Sequence, residues 1–329
     1  MPRTLKTGIG LAAGLVVLAA SVGLCLHLFW PLKHDPQPAA FHCYDLNEGD
    51  TIALDTPKRA FGVGLAYAAH IRETASSYTP GAAPPIFEKQ VHGWCGDGAT
   101  VPIPNAQALR DSINTLEPGL GDALDADNLD ALVDYEVEMG FVLLEAIDPP
   151  QLDTPDFVPK LGFFVANDLS ARSVAILGEG QLNRYAWWGA SKSFPGFMPV
   201  SGRAWVPRQP AANVIPCVNL ETRVNEEVRQ SQETVDLIYT PREMLVFLRD
   251  TFPDATLEKG TVVLTGTPGG VAMATPRALV RLSNLVGLDR ETKLRAKLNG
   301  DRSRFLRSGD RVLVSGGALG TVEVLIGPP

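Results

Sequence analysis

Three acidic residues alternate with apolar ones in Val133-Asp134-Tyr135-Glu136-Val137-Glu138-Met139. Successive side chains of a strand point to opposite faces, so Asp134, Glu136 and Glu138 share one face and Val133, Tyr135, Val137 and Met139 the other. Such a stripe is either the solvated side of an amphipathic strand or, since acids stacked ~7 Å apart repel, a seat for a divalent cation. The first is how most such patterns end; the apolar residues 141–144 that follow send the strand into the interior and weaken that reading without displacing it. A further acid, Asp168, ends the apolar run Phe163-Phe164-Val165-Ala166 as Asn167-Asp168, with Ser170-Ala171-Arg172 just beyond. It stands at the mouth of a strand or caps a helix. Arg172 reaches back over the same end if a helical turn follows, and an acid converging with an arginine suits an anionic substrate held on a metal.

Positioning such groups takes a scaffold, and the remaining periodicity supplies mostly strands. Runs at 131–144, 161–168, 218–224, 227–231, 261–265 and 311–314 are bounded by Gly and Pro turns. Helical spacing is confined to a few stretches. One is 105–112; another is 241–251, where Met244, Leu245, Phe247 and Leu248 share a face behind Thr240 as cap and Pro241 in the first turn. Many strands and few helices predict an α+β, β-rich fold, a β-roll or sandwich.

The chain has 329 residues and a formal net charge of −8. That balance excludes a general nucleic-acid binder, which needs a basic footprint. The charge is unevenly spread. Residues 7–30 contain no Asp, Glu, Lys or Arg, and these 24 residues exceed the ~20 that a helix needs to cross a bilayer. Arg3 and Lys6 precede the run, Phe29 and Trp30 end it, and Pro31, Pro36 and Pro38 make a linker. The expectation is a single N-terminal transmembrane helix that holds the rest of the chain on the non-cytoplasmic side, the periplasm in a bacterium. A signal peptide cleaved near Ala19, Ala20 or Ser21 is the alternative. Outside that run the cysteines are Cys43, Cys95 and Cys217, without C-x-x-C spacing. An oxidising compartment allows one disulfide, with Cys43–Cys95 the expected pair; three buried thiols are the other reading.

The stretches GLAYAAHIRE (64–73), VDYEVEMGFVL (133–143), GFFVANDLSAR (162–172), SKSFPGFMPV (191–200), VNEEVRQ (224–230), LEKGTVVLTGTPGGV (257–271) and LRSGDRVLV (306–314) occur in the order found in the fumarylacetoacetate hydrolase family. From about residue 60 onward the chain closely resembles that family. The resemblance implies a mixed β-roll like the family's C-terminal domain, and a divalent metal, usually Mg²⁺ or Mn²⁺, on Glu136, Glu138 and Asp168. Asp134 is not carried over as a ligand. With the uncharged run and prolines read as above, the expected division is an anchor and linker (1–38), an N-terminal part with a lid near 64–85 (39–130) and a catalytic core (131–329).

His70 and Glu73 match the family's H-x-x-E pair, which at i and i+3 of a helical turn share a face. The resemblance makes His70 the general base for a water, oriented by Glu73; alone, His70 reads as a surface or capping histidine. Lys192 and Thr267 match the K-S-F and TGTP motifs and, with Arg172, would hold substrate oxygens and developing charge. Without the resemblance they are a loop lysine and a turn hydroxyl. The implied reaction is hydrolysis of a carbon–carbon bond in a small β-dicarbonyl or acylpyruvate-type 2-oxo acid, with a metal-stabilised enolate leaving. Decarboxylation or enol–keto isomerisation on the same site, and a degenerate metal-binding scaffold, are the rivals. They gain weight from Ser173, Ala175, Ala66 and Glu226, which stand where many relatives have Asp, Gln, Asn and Gly. Many members dimerise.

One segment has no counterpart in the family pattern. Residues 276–307 hold nine Lys/Arg against three acids, with patchy helical periodicity. The basic insert, centred on 276–305, is expected either to pack on its own domain with a solvated basic face, or to dock on anionic lipid headgroups or a partner.

Overall fold

The computed structural model describes residues 36–74, 76, 78–125, 129–274 and 276–329. The apolar run of residues 7–30 lies outside them, and among the described residues no helix is long and apolar enough to cross a membrane. Two sheets carry the fold. The larger contains β1 (Gly49–Ala53), β2 (Ala60–Val63), β3 (Ile86–Lys89), β5 (Val137–Leu143), β6 (Leu161–Asn167), β7 (Arg203–Pro207) and β10 (Val262–Leu264), in spatial order β1-β7-β6-β5-β10-β2-β3. The smaller contains β4 (Thr100–Pro102), β8 (Asn219–Val224), β9 (Glu227–Glu233), β11 (Arg311–Ser315) and β12 (Thr321–Gly327), in order β9-β8-β11-β12-β4. Within these two sheets all pairs are antiparallel except β2 with β10 and β4 with β12, so the expected α+β mixed-sheet architecture is what the chain forms. Residues between 39 and 130 supply strands to both sheets.

The helices are α1 (Ala68–Glu73), α2 (Ala106–Leu116), α3 (Arg172–Leu177), α4 (Arg184–Ser191), α5 (Pro241–Thr251), α6 (Arg277–Leu285) and α7 (Arg290–Leu298), besides shorter turns. The 241–251 helix forms as expected, with a capping box between Thr240 and Glu243. The other begins at its Asn105 cap, whose side chain accepts from the Ala108 amide, and runs four residues past 112.

Two expectations need correction. The 131–144 strand is broken: Val133–Asp134 pairs with Ser170–Ala171, and β5 starts only at Val137. Nor does it have a wet face, because residues 131–143 are all buried; β5 lies between β6 and β10 and is covered on both sides. The disulfide is Cys43–Cys217, with Cα atoms 5.2 Å apart. His42–Cys43 pairs in parallel with Val214–Ile215 and thereby meets Cys217, whereas Trp94–Cys95 pairs with Met198–Pro199. Cys95 is left as a half-buried thiol that donates to the Gly196 carbonyl, and burial pushes it up to about 11.

Candidate active site

The carboxylates meet because of strand register. β5 and β6 pair Val137 with Asn167 and Glu138 with Ala166, so one step further Asp168 stands opposite Glu136. Two bonds fix that step: the Asp168 amide donates to the Glu136 carbonyl at 2.8 Å, and the Glu136 amide donates to Asn167 Oδ1 at 3.0 Å. Glu136 and Glu138, two apart, share a face with Asp168. All three are buried, and each offers an oxygen within 4.8 Å of the others. Asp168 caps no helix; Ala171 holds that position for α3.

Asp134 takes a different course. Its carboxylate accepts from the amides of Tyr135, Ala272 and Met273 at 2.9, 2.7 and 3.0 Å and from Arg172 Nε at 2.8 Å. The acid that shares a face with the others in the alternating pattern is thus spent on holding the loop after the TGTP motif. The strand break at Tyr135–Glu136 is what turns it away.

Three cations lie against the carboxylates. Arg172 binds Glu136 as well as Asp134. Lys192, just after α4, binds Glu136 and reaches Asp168 Oδ2 at 2.5 Å. Lys89, the last residue of β3, binds Asp168 and donates to the Lys192 carbonyl at 2.6 Å. A Cβ at Gly189 would come within 2.5 Å of the Glu88 carbonyl, so only glycine lets α4 approach β3 closely enough to bring these lysines together. Lys89 and Asn167 carry no role in the sequence reading. The available signal for Lys89 was a lysine on the same strand face as apolar Phe87, while Glu88 points to the other face of Ile86–Lys89. Asn167 Nδ2 is buried without a hydrogen-bond partner among the described residues, a donor left open beside the cluster.

The charges shift one another. Burial works to raise the Glu136 carboxyl, but Arg172, Lys192 and His70 overcome it and hold that acid at about 2. Glu138 moves the other way: burial, then the Asp168 and Glu136 charges, push it well above the usual carboxylate range. Burial lowers Lys89, while the facing carboxylates raise Lys192 against its burial.

The His70–Glu73 pair forms as the spacing predicts. His70 is buried on α1, its Nδ1 lies 2.9 Å from Glu73 Oε1, and Glu73 Oε2 accepts the Gly270 amide at 2.8 Å. Glu73 therefore ties α1 to the glycine loop while orienting the imidazole. That loop is equally constrained on its other side. Gly266, at φ +94°, donates to Glu138 Oε2 at 2.7 Å, and a Cβ there would come within 2.8 Å of the Val63 carbonyl and the Ala66 side chain. Thr267 is also buried; its hydroxyl donates to the Val137 carbonyl at 3.1 Å and accepts from Gln230 Nε2 at 2.8 Å. Gln230 Oε1 accepts the Val137 amide at 3.0 Å, so one side chain joins β9, the TGTP loop and the start of β5. Ser173 Oγ donates to the Ala131 carbonyl at 3.1 Å and is spent there.

Three buried carboxylates with convergent oxygens are a donor set suited to a hard divalent cation, and they could hold one. Residues 59–326 match the model of the fumarylacetoacetate (FAA) hydrolase C-terminal family. An uncharacterized protein of Archaeoglobus fulgidus is 28% identical over 197 residues, covering 59% of this chain and 72% of that protein. The fumarylacetoacetate hydrolase of Exiguobacterium antarcticum superposes with a TM-score of 0.51 at 22% identity, covering 84% of this chain and 78% of that chain. Fumarylpyruvate hydrolase of Pseudomonas aeruginosa, solved with Mn²⁺ and pyruvate, gives 0.51 at 17% identity, covering 91% and 99%. With most of its length matched and the acid triad in place, this chain belongs to the fumarylacetoacetate hydrolase family and is a hydrolase- or isomerase-type enzyme of that family.

Proposed function

We propose that the chain hydrolyses a carbon–carbon bond of a small acylpyruvate-type 2-oxo acid with a divalent cation, Mg²⁺ or Mn²⁺, on Glu136, Glu138 and Asp168. The observation that carries this reading is a buried imidazole–carboxylate pair tied to the loop that also binds the triad: Glu73 holds His70 Nδ1 and the Gly270 amide, while Gly266 of the same loop donates to Glu138. The cation would supply Lewis-acid polarisation of two substrate oxygens. His70 Nε2 takes a proton from water, the hydroxyl adds to the remote acyl carbonyl, and the carbon–carbon bond breaks with its electron pair going to the pyruvate enolate. The proton returns to that carbon, giving a carboxylic acid and pyruvate. Arg172 and Lys192 carry positive charge at the edge of the cluster, where substrate oxygens would accept from them. Thr267 is assigned with them to substrate, through the loop that its hydroxyl and Gln230 hold in place.

A second reading, decarboxylation or enol–keto isomerisation, is favoured by one feature: Ser173, at a position polar toward substrate in many relatives, has its hydroxyl on a backbone carbonyl. Incubating the full chain with acylpyruvates, oxaloacetate and related 2-oxo acids in H₂¹⁸O, with Mg²⁺ or Mn²⁺, separates the two. Label in the acid product supports hydrolysis; turnover without label supports the second reading.

We also propose that the enzyme is held to a membrane by residues 7–30, with its fold on the non-cytoplasmic side. The uncharged run supports the anchor, and the Cys43–Cys217 disulfide supports an oxidising compartment. Thiol alkylation of the chain taken directly from cells tests the compartment, because a reduced Cys43–Cys217 pair there places it in the cytoplasm.

A further inference from the structure

The insert is not uniform. α7 is docked on the body: Leu294 is buried, Arg290 binds Glu117 and the Leu177 carbonyl, and Lys293 binds Glu179 at 3.1 Å. Arg302, beyond it, pairs with Asp130. Three of the nine cations that mark the segment in the sequence are therefore matched by acids from elsewhere in the fold. α6 shows the opposite character. Leu279, Leu282 and Val286 recur at i, i+3 and i+7 on one face, flanked by Leu285 and Leu288, and all five are exposed. They are half of the exposed large apolar side chains among the described residues. The helix bearing them is well terminated. Gly287 adopts φ +67° and the Leu288 amide donates to the Ser283 carbonyl at 2.9 Å, a Schellman turn, after which Asp289 caps α7.

We propose that this face of α6 lies in the boundary between headgroups and acyl chains of the bilayer that holds residues 7–30. This rests on the anchor reading above. The apolar run ends at Trp30, and the chain is fixed again where the Ala39 amide donates to the Leu237 carbonyl at 2.8 Å. The eight residues between them, 31–38, span about 28 Å at full extension, so the fold stays close to the lipid surface. The attachment point and the loop that leads into α6 also meet the fold at the same short helix. Leu237 pairs with Tyr67, just before α1, while Glu73, the last residue of α1, binds Gly270, seven residues before α6. A six-residue helix is about 9 Å long, so the tether and the loop that leads into α6 meet the fold at the two ends of that one helix. An amphipathic helix with a leucine face, kept that close to a bilayer, buries its apolar area there.

The test uses the full chain, reconstituted into phosphatidylcholine–phosphatidylglycerol vesicles, with photoreactive p-benzoylphenylalanine at position 282 or, as an exposed control, 182. Flotation of the chain reports the anchor; mass spectrometry after illumination reports what covers α6. A phospholipid adduct at least tenfold more abundant at 282 than at 182 is expected, and the same from a label at 286. A chain that floats but gives no lipid adduct at 282 overturns the proposal while leaving the anchor reading intact. A cross-linked dimer, making the face an interface between copies, or an adduct within residues 1–35 of the same chain, also overturns it. A chain that fails to float overturns both readings.

Discussion

Two segments stand out by charge in this chain, the acid stripe around Glu136 and the basic insert around α7, and the fold treats them in opposite ways. The acids are buried, and cations from three separate elements converge on them: Lys89 from β3, Arg172 from α3 and Lys192 after α4. The basic residues of the insert meet acids at the surface, one pair at a time, in positions open to water. Like charges forced together in the interior store an interaction that a cation and an anionic substrate can exploit; surface pairs are screened and mainly fix where a helix lies.

The comparison breaks most visibly if a buried acid proves dispensable. Asp168→Asn is expected to weaken Mn²⁺ binding by at least ~100-fold and to bring turnover to background, as measured by calorimetry and product formation. Retained turnover would mean that the triad is merely structural. His70→Ala, by contrast, is expected to cut kcat by about 10²–10⁴ while cation affinity holds, because the imidazole moves a proton without ligating the metal.

Lys89→Met removes one partner of a fully buried pair. Chemical denaturation of the metal-free variant is expected to show a loss of about 3 kcal/mol, the lower end for such pairs because Lys192 still faces Asp168. Saturating Mn²⁺ is expected to narrow the gap, since the cation answers the charge that Lys89 leaves behind.

How legible these regions were depends on whether a residue's role is set locally or by register. Asp168, Glu136 and Glu138 could be picked out because alternation and a strand mouth are local patterns, and the family motifs fixed the grouping. The Thr240 cap was equally local, and the structure adds its reciprocal bond with Glu243. Lys89 was not visible, since its partner is 79 residues away and only the packing of α4 on β3 brings them together. The Cys43–Cys217 pairing was hidden for the same reason, being set by two-residue strands with little periodicity of their own. The strand break at Tyr135–Glu136 contradicts strict alternation, because Asp134 finds backbone amides of the glycine loop that no nearby sequence announces. For the insert, composition gave the net charge but not its matching to Glu117, Glu179 and Asp130, which come from other parts of the chain.

Glu138 offers a pH-dependent version of the contrast. Its carboxyl is raised above the ordinary value of 4.5 by burial and the neighbouring acids, so in the metal-free protein the folded state binds its proton more tightly than the unfolded chain. The stability this contributes is present below the ordinary carboxylate range and is lost as pH rises through the raised value. A cation competes with that proton, so its affinity is expected to increase with pH above the ordinary range, by up to about tenfold per unit for one proton displaced. Calorimetry in buffers of different ionisation enthalpy reads the released proton directly. Flat affinity without proton release would show that Glu138 is already ionised.

The smallest effect is expected at the insert. Arg302 and Asp130 are 2.9 Å apart with both side chains nearly half exposed, so solvent and salt screen their attraction. Arg302→Ala is expected to cost less than about 1 kcal/mol, and a double-mutant cycle with Asp130→Ala should give a coupling of a few tenths that shrinks further in 1 M salt. A coupling as large as that expected for Lys89 would mean that the insert is held by desolvated charge after all. α7 would then belong energetically to the buried cluster's side of the comparison, and its basic face would have to be counted as part of the core that positions α3, the helix that begins with Arg172.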